Sequence, residues 1–271
     1  MDAGTIAGVA MDVNAYLRRI GFDGSRHPSA ATLRELHCRH LYTVPFENLD
    51  ITLGTIIRLE PEVLFEKIVV RRRGGFCYEL NSVFCDLLRV LGFHVDMLSA
   101  RVSRPGGGFG PEFDHMLLKV SLEEPWIADV GFGDSFIYPL SLEGPASRET
   151  VGKTRYWINT LNREHELVRR EDDEAPTPQH RFTEVPRQLS DFAEMCVFHQ
   201  TSADSHFTQG SVCSMALPDG RVTLSGMRLI TTRLGMRQEA ILQNETELQS
   251  CLRQRFGIEF ADKTDLSRLA A

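Results

Sequence analysis

Downstream of residue 77 the apolar positions Leu80, Val83, Phe84, Leu87, Leu88 and Leu91 recur at three- and four-residue steps. That spacing predicts a helix with one buried face, ended by Gly92. Leu33, Leu36, His37, His40 and Leu41 give a second stripe, Leu64, Ile68 and Val69 a third, and Glu245 to Phe256 a final helix. Between them the period changes. His94 to Val102 alternates, and His115 to Val120 and Trp126 to Val130 read as strands joined by the connection 121–125, hence a hairpin. Arg155 to Val168 holds further strand-like runs, and Val212 to Leu217, Arg221 to Leu224 and Met227 to Thr231 form short strands around Pro218-Asp219-Gly220. Arg104 to Pro111 and Arg170 to Pro176 are irregular inserts that read as loops. The triple glycine at 106–108 reads as a hairpin tip. It lacks the strand–loop–helix setting and the following Lys-Ser/Thr of a phosphate-binding loop. The chain thus divides into a helix-rich stretch (1–92), a β-rich stretch (93–200) and a mixed one (201–271).

The first helix stripe begins at Arg73-Gly74-Gly75-Phe76-Cys77-Tyr78-Glu79. A cysteine there faces unpaired backbone N–H groups and the positive end of the helix dipole, which stabilise an anion. The thiolate is the reactive form of cysteine. Gly74 and Gly75 are expected to take positive φ and to leave space before the sulfur. Arg73 is expected to hold this turn or to pair with Glu47, while Arg71 and Arg72 read as a solvated face.

A nucleophilic cysteine needs a base, and the base an orienting group. If the 115–130 hairpin centres near Leu122, His115 lies directly opposite Asp129 with both side chains on one face. A one-residue slip would separate them. Val130-Gly131-Phe132-Gly133 then leaves bare backbone beside the pair.

Arg73-Gly74-Gly75-Phe76-Cys77, His115-Met116-Leu117-Leu118 and Asp129-Val130-Gly131-Phe132-Gly133, spaced 38 and 14 residues apart, resemble the signatures of the arylamine N-acetyltransferase family in the family's order. Val44-Pro45-Phe46-Glu47-Asn48-Leu49 upstream is similar to a fourth family motif. Ser205-His206-Phe207-Thr208, with Cys213-Ser214-Met215-Ala216 and Pro218-Asp219-Gly220-Arg221, resembles a fifth. The likeness runs from about Tyr16 to about Phe260. It implies an α+β fold with a cysteine-protease-like core: an N-terminal helical bundle, a central antiparallel β-barrel and a C-terminal α/β lid. It implies a Cys77–His115–Asp129 triad that takes acetyl from acetyl-CoA and passes it to an arylamine or hydrazine, with no metal. By resemblance Phe46, Phe132 and Phe207 form an aromatic wall for the acceptor, with Val102 and Tyr78 in the same cleft, and Gly133, Thr208 and Ser211 contact coenzyme A. Two neighbouring chemistries use the same triad: a macrolactam-closing amide synthase of the same family, and a papain- or transglutaminase-like cysteine enzyme.

Composition narrows the field further. A net charge of −7 argues against a general nucleic-acid binder, and no run approaches the length of a membrane span. Cysteines 38, 77, 85, 196, 213 and 251 lack paired spacing, which suggests reduced thiols in the cytoplasm. His37, Cys38 and His40 have no second ligand pair at zinc-like spacing. Residues 1–10 read as an extension ahead of Met11-Asp12. No stripe fixes the oligomeric state, so a monomer or homodimer is expected.

Overall fold

The helix that starts at residue 77 is the centre of the molecule. In the computed structural model, which describes residues 5–6, 9–143, 149–151, 154–172, 174–260 and 264–270, it runs Cys77–Val90, with Leu91 as its cap and Gly92 at φ +90°. Leu80, Val83, Phe84, Leu87 and Leu88 are all buried. Each contributes roughly 1.5–3 kcal/mol by leaving water. Around them pack Tyr16, Leu17 and Ile20 of the Val13–Arg19 helix, Leu33 and Leu36 of the Ala30–Leu41 helix, and Leu64, Ile68 and Val69. The last three span a short helix, Pro61–Phe65, and a π-helical turn, Glu66–Val70.

The other side of this core is an eight-stranded antiparallel, barrel-like sheet. Its spatial order is Leu140–Ser141, Pro125–Ala128, His115–Ser121, His94–Val102, Thr177–Arg187, Glu164–Glu171, Thr154–Leu161 and Glu149–Val151. Alternation places Leu98, Ala100, Leu117, Ile127, Leu167 and Phe182 in its own core. A five-stranded sheet of Met236–Ile241, Arg228–Arg233, Gly220–Ser225, Val212–Leu217 and Phe46–Glu47 forms a third layer, covered by the Glu245–Phe256 helix. Among the described residues no helix is long and apolar enough to cross a membrane.

Four differences from the sequence reading are physical. The stretch 189–201, expected to be β-rich, forms a 3₁₀ turn, Leu189–Phe192, and a helix, Ala193–Thr201. Its apolar anchors Phe192 and Cys196 pack on the core around the Cys77–Val90 helix, a tertiary contact that no local period announces. Phe46–Glu47, in the helical stretch, pairs with Val212–Leu217 as Cys213↔Glu47 and Ser214↔Phe46, tying both ends of the chain into one sheet. The 115–128 hairpin pairs Leu118↔Ala128 and Ser121↔Pro125, so it centres on Glu123 rather than Leu122. Asp129 therefore lies diagonal to His115, not opposite it. The displacement is two residues along the partner strand, which preserves parity, so both side chains still share one face.

The fourth concerns the glycines before Cys77. Neither Gly74 nor Gly75 has positive φ; the left-handed residue of this turn is Arg72, at φ 54°. What the glycines supply is close approach. A Cβ on Gly74 would lie 2.0 Å from the Pro45 carbonyl oxygen, and one on Gly75 2.7 Å from Glu79 Oε2. The turn is pinned by buried charge. Arg73 donates to Glu47 Oε1 at 2.8 Å and to Asp50 Oδ1 at 2.9 Å, and Lys67 Nζ reaches Asp50 Oδ2 at 2.8 Å and Glu79 Oε1 at 2.7 Å. Glu79 Oε2 accepts the Phe76 N–H at 3.1 Å, and the Gly75 carbonyl accepts the Glu47 N–H at 2.9 Å.

The triple glycine at 106–108 has positive φ throughout and open space around it, beyond the Ser103↔Phe109 bridge, as a hairpin tip requires. The two glycine sites thus differ in mechanism. Gly74→Ala is expected to cost more than about 2 kcal/mol in urea unfolding, through forced displacement of the Pro45 backbone. Gly107→Ala, strained but unobstructed, is expected to cost only about 1 kcal/mol. Equal unfolding midpoints for the two variants would show that the close approach at Gly74 is unimportant.

Candidate active site

Phe76 caps the Cys77–Val90 helix with no side-chain hydrogen bond, and its carbonyl accepts the Glu79 N–H at 3.1 Å. Of the first-turn N–H groups, that of Tyr78 reaches the Cys77 sulfur. Burial pushes the thiol well above its usual range, while the backbone N–H groups of Met116 and Tyr78 pull it down and the Asp129 charge pushes it up. Cys77 is only 2% exposed. Gly131 leaves the room that was expected of Gly74 and Gly75, because a Cβ there would meet Cys77 Cα at 2.7 Å.

His115 opens its strand next to Met116, and its Nε2 lies 2.7 Å from Asp129 Oδ2. Burial pushes the Asp129 carboxyl up, but His115, then His180 and the Asn81 amide, hold it below its ordinary value. An ionised carboxylate only accepts, so His115 Nε2 carries a proton toward Asp129. Asp129 Oδ1 accepts from Asn81 Nδ2 and from the Gly131 N–H, both at 2.9 Å. The carboxylate is thus fixed on both oxygens.

The groups that fix it were not found in the sequence as functional. Asn81 stands one helical turn after Cys77, a spacing that could have marked it, and also donates to the Met116 carbonyl at 2.7 Å and accepts the Val130 N–H at 3.0 Å. His37 Nε2 accepts the Asp129 N–H at 3.0 Å, so its Nδ1 carries the proton given to the Ile137 carbonyl at 2.7 Å. Burial lowers its pKa to about 4, so this ring is neutral. His180, paired with Val102 across the sheet, packs 5.4 Å from the His115 ring. Burial, and then the His115 charge, depress it to about 3. Nothing in the local sequence around 37 or 180 identifies either.

A cleft of about 930 Å³ opens over these groups, lined by Phe46, Cys77, Val102, His115, Phe132 and Phe207 among others. Phe46 and Phe207 rings lie 6.2 Å apart, and Phe132 meets His115 edge-on at 5.1 Å. Tyr78 does not line the cleft. That ring is buried behind the wall, against Phe76 and Phe192, with its hydroxyl donating to the Phe113 carbonyl at 2.6 Å.

Gly133, Thr208 and Ser211 also lie outside the lining. Gly133, at φ +86°, packs under Phe46 and its carbonyl accepts from Arg221. The Thr208 hydroxyl donates to the Ser202 and Ser205 carbonyls, and that of Ser211 to the Leu269 carbonyl at 2.8 Å. Arg104 and His199, neither singled out in the sequence, do line the cleft. His199 is held by Ser205 Oγ at 3.2 Å and faces Asp114 at 3.5 Å. His115, Asp129 and His180 bring their ligand-type atoms within 4.8 Å of one another. The short His115–Asp129 bond already occupies two of the three.

Comparison with known proteins places this geometry. Residues 29–265 match the family model described as N-acetyltransferase. The arylamine N-acetyltransferase of Mycolicibacterium smegmatis is 35% identical over 265 residues, covering 94% of each chain. The solved arylamine N-acetyltransferase of Salmonella typhimurium superposes with a TM-score of 0.88 at 31% identity, covering 95% of this chain and 97% of that one. That of Mycobacterium marinum, solved in complex with CoA, gives 0.85 at 30% identity, covering 96% and 97%.

The electrostatics generate a pH prediction. Burial opposes a lone thiolate at Cys77, but moving its proton to His115 Nδ1 leaves the net charge of the site unchanged. Asp129 then offsets the imidazolium, so an ion pair is accessible where a lone anion is not. Iodoacetamide alkylation of Cys77 is therefore expected to turn on well below the free-thiol value of about 8.5. In His115→Ala, where burial is unopposed, the inflection is expected above that value. A wild-type profile that rises only near or above it would remove the resting ion pair.

Proposed function

Because this chain belongs to the arylamine N-acetyltransferase family, we propose that it moves the acetyl group of acetyl-CoA to an arylamine or arylhydrazine through an acetylated Cys77. The observation that carries the residue roles is the buried 2.7 Å bond between His115 Nε2 and Asp129 Oδ2, beneath the cleft that Cys77 also lines.

His115 Nδ1 holds the proton that Cys77 has given up, and the thiolate sulfur attacks the thioester carbonyl. The tetrahedral oxyanion draws on backbone N–H at the helix start, foremost that of Cys77, and losing one such donor costs about 3 kcal/mol of transition-state stabilisation. The carbon–sulfur bond to coenzyme A then breaks, and its thiol leaves with the proton held on His115. The amine attacks the acetyl-cysteine in turn, His115 removes the nitrogen's proton, and the amide departs as Cys77 is regenerated. Asp129 holds the imidazole tautomer and offsets its charge in both halves. Thioester to amide is downhill, so acid–base and nucleophilic groups suffice.

Phe46, Phe132 and Phe207 supply flat apolar surface for the acceptor ring, and Val102 closes the same side. Tyr78 supports this wall from behind. Gly133, Thr208 and Ser211 are assigned to the coenzyme side through their backbone, since both hydroxyls are already engaged. In this reading residues 1–92 carry the nucleophile, 93–200 the base and its carboxylate, and 201–271 the lid. The enzyme acts on small molecules as a monomer or homodimer, and its six free thiols fit a reducing cytoplasm.

Two experiments follow. Initial rates against both substrates are expected to give parallel double-reciprocal lines, because the acetyl group rests on Cys77 between them. Intersecting lines would establish direct transfer in a ternary complex. Asp129→Asn is expected to fold yet lose turnover by roughly 10⁴-fold, since an amide can hold the wrong tautomer and offers no charge. Asp134→Asn, at a half-exposed carboxylate paired with Arg221 and Arg169, is expected to stay active. Near-normal turnover in Asp129→Asn would leave His115 to be oriented by another group.

A further inference from the structure

On the reverse face of the nucleophile helix lies a second pocket, of about 280 Å³, that shares no lining residue with the cleft. Asp86 stands nine residues after Cys77, two and a half turns at 3.6 residues per turn, and so points the opposite way. Ser82 precedes it by four residues on that same face. Phe65, Val83, Val90, Met97 and Leu189 wall the pocket with hydrocarbon.

Two polar groups in this apolar wall lack partners. Ser82 is fully buried, and its hydroxyl has no hydrogen-bond partner among the described residues. The Asp86 carboxylate likewise has neither an ion pair nor a hydrogen bond among them. Arg89 also lines the pocket, but its Nε and Nη2 donate to the Val95 carbonyl at 3.2 and 2.8 Å and it makes no ion pair with Asp86. Glu62 and Glu66, together with Asp86, outnumber that one positive charge in the lining. Burial pushes the Asp86 carboxyl up to about 6, against the pull of Arg89 and with the push of Glu62, so it is charged at neutral pH. A half-buried carboxylate beside a buried free hydroxyl is costly unless something donates to both.

We propose that this pocket binds a small organic cation, a protonated primary amine on a compact apolar body. Its ammonium donates to the Asp86 carboxylate and the Ser82 hydroxyl, and its hydrocarbon packs on Phe65, Val83 and Met97. The charge selects the cation, and the walls exclude one without an apolar body, such as a hydrated metal ion. The site is independent of acetyl transfer, and its occupant touches the helix that carries Cys77 from behind.

The test is isothermal titration of the full chain, alkylated at Cys77 so that the acceptor cleft is blocked, with cyclohexylammonium chloride near neutral pH. Cyclohexanol serves as the uncharged isostere. Saturable one-to-one binding of the amine is expected, about tenfold or more tighter than the alcohol, the ratio that a hydrogen bond to a charged group supports. Asp86→Asn is expected to erase that preference. Val90→Phe, which fills the pocket without touching its charge, is expected to abolish binding of both compounds and supplies the answer should Asp86→Asn not fold. Absence of saturable amine binding, equal affinity for amine and alcohol, a preference retained in Asp86→Asn, or undiminished binding in Val90→Phe would each overturn the proposal. Because Cys77 is blocked throughout, none of these outcomes depends on the acetyl-transfer chemistry.

Discussion

Everything at the active site hangs on five buried ionisable side chains, Glu47, Asp50, Lys67, Arg73 and Glu79, joined by contacts of 2.7 to 2.9 Å. They come from the edge strand of the five-stranded sheet, the short helix after it, the π-helical turn, the glycine turn and the nucleophile helix. Such a network is a poor source of net stability, because desolvation offsets most of the attraction. Its value lies in geometry: removing one partner strands another buried charge at a cost of about 3–5 kcal/mol, so alternative placements of the turn are excluded. Cys77 is held where it is by the price of leaving that arrangement.

The site is then assembled from parts that are individually rigid. Cys77 begins a helix, His115 begins a strand, and Asp129 follows the end of the neighbouring strand, so none rides on a long loop. Asn81 bridges all three elements by holding the Met116 carbonyl, the Val130 N–H and Asp129 at once. The two neighbouring histidines, 37 and 180, are kept neutral by burial.

The sequence determined a good deal by itself. The stripe from Leu80 to Leu91 sets the nucleophile helix, because burial of a helix face demands that period and Gly92 ends it. The two strand-like runs on either side of Glu123 set adjacent strands, and parity alone keeps His115 and Asp129 on one face, whatever even shift the register takes. Arg73 beside two glycines pointed to Glu47, and that pairing exists. These are local rules, and local rules survive in a linear text. What only the tertiary structure decided are relations between distant segments. Gly74 is needed because Pro45 passes 2.0 Å from where its Cβ would be, not for its dihedral freedom. Phe46–Glu47 is a strand only because Val212–Leu217 is there to pair with it. Tyr78 is hidden because Phe192 packs over it, and His37 became a support for Asp129 because two helices and a hairpin meet at that point. Close approach, pairing and burial each require a second segment whose position the first does not encode, and that is why folding had to supply them.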